Sequence, residues 1–140
     1  MVEIAGRHLE AVQTAIAKGV RIALGIDVAT SGADQAAHWG QNADGLPLLV
    51  NAGMTPLQAI EAATANGPGT LGPRGPRSGQ LAAGDDADML GLTLNPLDDI
   101  ALTDRATISW IWKDGQPVKS NGTAACNSFM RLSSCTSSRF

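Results

Sequence analysis

The chain has 140 residues, of which 44% are hydrophobic, and a formal net charge of −3. This length and apolar content suit one domain with its own core. The acidic balance lacks the basic surface that nucleic acids and anionic membranes bind, and no apolar run approaches the roughly 20 residues that span a bilayer. We therefore expect neither a nucleic-acid partner nor a membrane.

The first segment predicts a helix, a glycine and a strand in that order. Apolar side chains in residues 2–18 recur at the spacing of one helix face, and Gly19 suits the left-handed position that ends a helix. Residues 20–26 are short, apolar and partly β-branched, which predicts a buried parallel strand. This strand ends at Asp27, and chemistry in parallel α/β sheets collects just beyond the carboxyl ends of the strands.

Two further helices are predicted between residues 44 and 66. The second runs from about Asp44 to Ala52, with Asp44 or Gly45 as its cap because Pro47 is tolerated only in the first turn. The third starts at Thr55-Pro56-Leu57-Gln58, the pattern of a capping box. The side chains expected to be buried are Leu46, Leu48, Leu49 and Val50 on the second helix, and Leu57, Ile60 and Ala63 or Thr64 on the third.

The second half of the chain has a β pattern after a Gly- and Pro-rich loop at residues 67–79. Strands are predicted at residues 88–94 and 107–112, and Asp114-Gly115 predicts a hairpin turn into a third strand at 117–119. Two or three strands do not form a stable sheet alone, so this sheet is expected to need a partner.

The C-terminal residues 121–140 are serine-rich, without apolar periodicity, and we expect them to be disordered. The only two cysteines, Cys126 and Cys135, lie in this tail, where a disulfide would have little to hold together. They leave the cell compartment open, with the cytoplasm as the default expectation.

Several segments together resemble a known family. Residues 19–27 (Gly-Val-Arg-Ile-Ala-Leu-Gly-Ile-Asp), 51–64 and 79–88 occur in the right order and are followed by Asn95-Pro96-Leu97-Asp98-Asp99-Ile100 and Trp112-Lys113-Asp114-Gly115. Over roughly residues 1–120 the chain resembles the C-terminal part of the metal-dependent amidohydrolase superfamily, closest to its imidazolonepropionase-like and Xaa-Pro dipeptidase-like branch.

The resemblance implies an α/β fold. Residues 1–78 would be the last helix–strand–helix units of a TIM-type (β/α)8 barrel, and residues 79–120 the returning strands of a small β-sandwich. Both units would be incomplete, which accounts for a lone strand and a sheet without a partner.

In this family the aspartate that ends the eighth barrel strand ligates a divalent metal, typically zinc, and accepts and returns a proton during amide hydrolysis. Asp27 matches that position. Read from the residues alone, Asp27 is more typical of a turn or cap residue. Ile26 replaces the threonine usual before this aspartate, so a hydroxyl that could orient the carboxylate is absent.

Two other groups have alternative interpretations. His38 resembles the histidine of a family loop over the active site and would contact the substrate, although a lone loop histidine is commonly just solvated. Asp85, Asp86 and Asp88 form an acidic cluster that lacks the ligand spacing of a hard-cation loop; the resemblance implies a sandwich turn there instead.

The resemblance predicts a metal-dependent hydrolase of carbon–nitrogen bonds in a small amide, cyclic amide or dipeptide. The other histidines and the bridging residue of the family's metal site have no counterpart here, and a catalytic zinc normally needs three protein ligands. Two alternatives therefore stay open: a non-catalytic relic or binding module, and a chain whose barrel is restored by self-association or by a complementary barrel half.

Overall fold

The described part of the chain consists of helices followed by an antiparallel β-sheet. A computed structural model describes residues 2–25, 42–100, 107–121 and 123–124. The helices are α1 (Val2–Ala17), α2 (Gly45–Asn51), α3 (Pro56–Ala63) and α4 (Asn66–Gly69), and the strands are β1 (Met89–Leu92), β2 (Ile108–Lys113), β3 (Gln116–Ser120) and β4 (Thr123–Ala124). Short 3-10 turns lie at Asn42–Asp44 and Gly72–Arg74. Within these ranges, no helix is long and apolar enough to cross a membrane.

Helix α1 confirms the predicted N-terminal helix and its glycine stop. Gly19 has a φ of 69°, the left-handed region in which glycine has no Cβ penalty. Its N–H donates to Ile16 O at 2.9 Å, and Val20 N–H donates to Ala15 O at 3.0 Å. These two bonds form a Schellman motif, which satisfies the last helical carbonyls and turns the chain outward at Val20.

Helices α2 and α3 begin with different caps. Asp44 occupies the cap position of α2, as predicted, but its side chain makes no capping hydrogen bond. Thr55 accepts a hydrogen bond from Gln58 N, and the Gln58 side chain accepts one from Thr55 N at 2.9 Å. The predicted capping box is therefore confirmed, and it fixes the start of α3.

The buried core is small and is formed mainly by α2 and α3. Its buried cluster consists of Leu46, Leu49, Ala59 and Ala62, against which Val12, Ile22 and Leu24 pack, among others. Leu46 and Leu49 were expected in the core. Leu48 was also expected there, and this prediction is wrong, because Leu48 is 67% exposed on the other face of α2.

The predicted burial face of α3 is also wrong. Leu57 is 53% exposed, Ala63 and Thr64 are exposed, and Ile60 is half-buried. The helix instead buries Ala59 and Ala62. Small side chains on this face let α2 and residues 20–25 approach the backbone of α3 closely.

Residues 20–25, which we call the docked segment, are not a strand in the structure. They have no regular secondary structure and pair with no strand in the described ranges, so the predicted strand at 20–26 is wrong over these residues. A strand requires a neighbour to share its hydrogen bonds, and here helices supply those bonds. Every pairing among the described strands is antiparallel, so the barrel remains a prediction.

The sheet has the strand order β1-β2-β3-β4 and confirms the predicted hairpin. Asp114 and Gly115 connect β2 to β3 with φ values of 50° and 72°, the left-handed pair of a tight hairpin turn. Strand β4 continues the sheet to Ala124, past the boundary predicted at residue 120. Residues 125–140, where the disordered tail is predicted, lie outside the described ranges.

The contrast between Ala62 and Ala63 tests the observed core. Replacing Ala62, which is 1% exposed, by leucine should destabilise the fold by about 1–3 kcal/mol, because the larger side chain overpacks the cluster. The matched change Ala63→Leu adds the same atoms on the exposed face and should stay within about 0.5 kcal/mol. Urea unfolding followed by helix circular dichroism measures both variants. Equal midpoints for the two would contradict the observed face of α3.

Candidate active site

The docked segment is the described part of the chain that leads to the predicted catalytic residue. It ends at Gly25, two residues before Asp27. Asp27 and His38 themselves lie outside the described residues, so their roles stay predictions. What the structure defines is how the chain approaches Asp27.

Three contacts hold the docked segment against the helices. Leu24 N–H donates to Ala62 O at 2.8 Å, and the Asn66 side-chain amide Nδ2 donates to Ile22 O at 2.8 Å. The Leu24 side chain also lies over Gly45, where an added Cβ would come 2.7 Å from Leu24 Cδ1. Glycine at this position therefore leaves the space that Leu24 fills.

The two hydrogen bonds occupy one edge of the docked segment. Ile22 O and Leu24 N–H both bond to the junction between α3 and α4, so they lie along one edge of the segment. The Ala62 carbonyl belongs to the last turn of α3, whose carbonyls lack intrahelical donors. The end of α3 and the start of α4 thus take the place that a neighbouring strand would take along this edge.

A second feature is an open groove of about 540 Å³ near the sheet. Its lining includes Leu46 and Ile60 from the helices and Met89, Leu90 and Leu92 from β1. The lining is mainly apolar, and its one carboxylate is Asp88. Among the described residues, those of the docked segment do not line this groove.

Both carboxylate oxygens of Asp88 accept hydrogen bonds from the hairpin. Its Oδ2 accepts a hydrogen bond from Lys113 Nζ at 2.7 Å, and its Oδ1 accepts one from Asp114 N–H at 2.9 Å. The hydrogen bond from Lys113, followed by that from the Asp114 amide, lowers the pKa of Asp88, and the hydrogen bond to Asp88 raises the pKa of Lys113. This carboxylate ties the start of β1 to the β2–β3 turn.

The neighbouring acidic residues also have structural roles. Asp85 forms an ion pair with Arg77, with Nε and Oδ1 3.3 Å apart, and Asp86 N–H donates to Arg77 O at 2.7 Å. These contacts close the turn between the loop at residues 75–79 and β1.

The described residues do not provide a metal site. Within residues 2–25, 42–100, 107–121 and 123–124, no three His, Cys, Asp or Glu side chains lie close enough together to hold a metal ion. His8, the histidine within those ranges, is exposed on α1. The donor set needed by a catalytic zinc therefore does not fit the described side chains, and a metal would require Asp27 together with groups outside them.

Sequence reasoning missed Asn66. It was interpreted only as part of the end of α3, because Asn-Gly-Pro is a general stop and turn signal. No local pattern indicates that its side chain reaches the carbonyl of Ile22, 44 residues earlier.

Comparison with known proteins gives a consistent family. Residues 1–119 match the amidohydrolase family. Ochratoxinase from Aspergillus niger is 43% identical over 121 residues, which cover 85% of this chain and 24% of that protein. The crystal structure of A. niger ochratoxinase matches with a TM-score of 0.73 and 42% identity over 84% of this chain and 26% of that one.

Two further solved structures resemble the chain. A Xaa-Pro dipeptidase with methionine bound in its active site has a TM-score of 0.63 at 27% identity, covering 80% of this chain and 25% of that one. Molinate hydrolase has a TM-score of 0.65 at 26% identity, covering 79% and 26%. The chain spans about a quarter of the length of these relatives.

The Asp88 contacts predict a pH dependence of the hairpin. A lowered pKa means that Asp88 stabilises the fold above its unfolded pKa of about 4, and that this contribution disappears as the pH falls through the folded value. The raised pKa of Lys113 means that its contribution is present below about 10.4 and is lost as the pH rises through the folded value. The ion pair is therefore intact at neutral pH.

Tryptophan fluorescence tests this dependence, since Trp110 and Trp112 lie on β2 next to Lys113. Part of the fluorescence change that wild type shows below about pH 4 comes from protonation of Asp88, so this part should be absent in Asp88→Asn. It should remain in Asp86→Asn, which removes an exposed carboxylate from the same turn. Identical acid profiles for wild type and Asp88→Asn would contradict the assignment.

Proposed function

Because this chain belongs to the amidohydrolase family, we propose that it forms part of a hydrolase of carbon–nitrogen bonds. The observation that carries the proposal is the family match over residues 1–119, reinforced by 43% identity to ochratoxinase over 121 residues. The match includes the docked segment and Asp27. We place the chain in the C-terminal part of the family's fold, with residues 1–78 belonging to its barrel.

Asp27 is the reactive carboxylate in this proposal. It follows the docked segment, and that segment is held along one edge by hydrogen bonds to α3 and α4. A carboxylate held this way can accept a proton from an attacking water and return it to a departing nitrogen, the two proton transfers that amide hydrolysis needs. The segment's attachment to packed helices supports this role, because catalytic groups act from rigid supports.

A divalent metal, with zinc as the expected ion, is part of the proposal. Since the described side chains contain no group of three ligands, Asp27 would be one ligand and the others would come from residues outside the described ranges or from another polypeptide. Complementation by a barrel half, or self-association, would supply such ligands.

The substrate class is a small amide, cyclic amide or dipeptide. Similarity to a Xaa-Pro dipeptidase at 27% identity supports the dipeptidase-like side of the family, and the imidazolonepropionase-like side is the other branch we propose. His38 would contact the substrate from the loop that follows the docked segment.

A specific observation favours a second candidate function. The lack of a three-ligand group in the described ranges suits a chain that keeps the family scaffold as a relic or binding module without the reaction. The two candidates differ in whether Asp27 holds a metal.

Zinc content distinguishes the two candidates. After dialysis against metal-free buffer, elemental analysis of the full chain should find close to one equivalent of zinc, and Asp27→Asn should lower it at least about tenfold because one of few ligands is lost. Asp86→Asn, an exposed carboxylate far along the chain, serves as the control and should retain the metal. Less than about a tenth of an equivalent in the wild type would rule out a metal site formed by this chain alone or by its self-association, and would support the non-catalytic candidate for this polypeptide.

A further inference from the structure

We propose that Asn66 is a positioning residue that fixes the docked segment and, through it, the carboxylate of Asp27. The first part of this inference stands on described contacts. The second part rests on the proposed function, which makes Asp27 the reactive group.

The Asn66 contact joins two distant parts of the chain. Its Nδ2 donates to Ile22 O at 2.8 Å in a partly buried setting. A partly buried carbonyl that loses its donor is left without the water that would replace it, which costs free energy. The hydrogen bond therefore favours one position of the docked segment over others.

The contact acts together with the backbone bond from Leu24 to Ala62. Two bonds from alternate residues to the same junction restrict both the position and the direction of the segment more than either bond alone. Of these two bonds, only the one from Asn66 comes from a side chain. A substitution at Asn66 therefore removes one of these two bonds directly.

Close backbone packing supports the connection between α3 and α4 from which Asn66 projects. Thr64 and Ala65 connect α3 to α4, and the backbone of Gly79 lies against this connection, where an added Cβ would come 2.6 Å from Thr64 O. Gly79 also has a φ of 82°, which disfavours any side chain there. Asn66 thus projects from a connection that close backbone packing holds in place.

The consequence for Asp27 follows from chain length. Asp27 is three residues beyond Leu24, and three residues of any conformation reach at most about 10 Å. Reactive and metal-binding groups must be held within about 0.5 Å of their productive position. Release of the segment at Ile22 and Leu24 would move Asp27 by more than that tolerance.

Hydrogen exchange of the Leu24 amide tests the attachment directly. At pH 7, Asn66→Ala and Asn66→Asp should each lower the protection factor of Leu24 N–H at least about tenfold, since neither side chain donates to Ile22 O. The control Asn51→Asp makes the same chemical change at an exposed residue of α2 and should leave Leu24 protection unchanged.

The pH dependence separates positioning from a general loss of stability. Below about pH 4 the carboxyl introduced by Asn66→Asp becomes protonated and can donate a hydrogen bond, so Leu24 protection should recover in that variant. Asn66→Ala offers no donor and should not recover. Unchanged protection in both variants at pH 7, or equal behaviour of the two variants in acid, would overturn the role of Asn66.

Zinc affinity of the full chain tests the link to Asp27. Both Asn66 variants should bind zinc about tenfold more weakly than wild type. Thr55→Ala, which weakens only the cap of α3, should stay within about twofold. If zinc binding depends on Asp27 but is unchanged in the Asn66 variants, the positioning role is wrong. If zinc binding does not depend on Asp27, the proposed function fails, while the exchange comparison still decides whether Asn66 holds the segment.

Discussion

The attachment of one segment to the end of one helix and the start of the next is the constraint on which the rest of the structure depends. Leu24 N–H and Ile22 O find their partners in Ala62 O and Asn66 Nδ2, so the edge of the segment is satisfied without a neighbouring strand. This arrangement requires α3 to present small side chains and α2 to present Gly45 beneath Leu24. The packing of the docked segment against α2 and α3 follows from it.

Local signals in the sequence predicted the elements well because local chemistry determines them. The glycine stop at Gly19, the Thr55–Gln58 capping box and the Asp114–Gly115 turn each depend on residues only a few positions apart, and the structure confirms all three. The family match over residues 1–119 likewise confirms the resemblance read from ordered motifs at the level of the family.

The failures of sequence reasoning concern contacts between elements. Leu48 on α2 and Leu57 on α3 were expected in the core, yet both are exposed. Helix α3 buries Ala59 and Ala62 instead, since close approach favours small residues at that contact. The docked segment has the composition of a parallel strand, and only its neighbours decide whether it becomes one. The reach of Asn66 to Ile22 could not be predicted for the same reason.

The sheet and the helices share an apolar groove, and large side chains such as Leu81 and Leu90 are 82% and 59% exposed. Exposed apolar surface of this kind is typical of faces that meet other parts of a protein. The chain spans about a quarter of its relatives, and complementation by another barrel half is the partner that we propose. In that arrangement the docked segment would keep its helical attachment on one edge and gain a strand on the other.

We propose that a metal binds at the end of the docked segment and not at the acidic turn before β1. Paramagnetic cobalt(II) added to the isotopically labelled chain tests this most directly, because it broadens amide resonances only near its binding site. The account predicts broadening at Gly25 and Asp27, with sharp resonances at Asp86, Asp88 and Lys113. Broadening centred on the acidic turn, or none at Gly25, would contradict it.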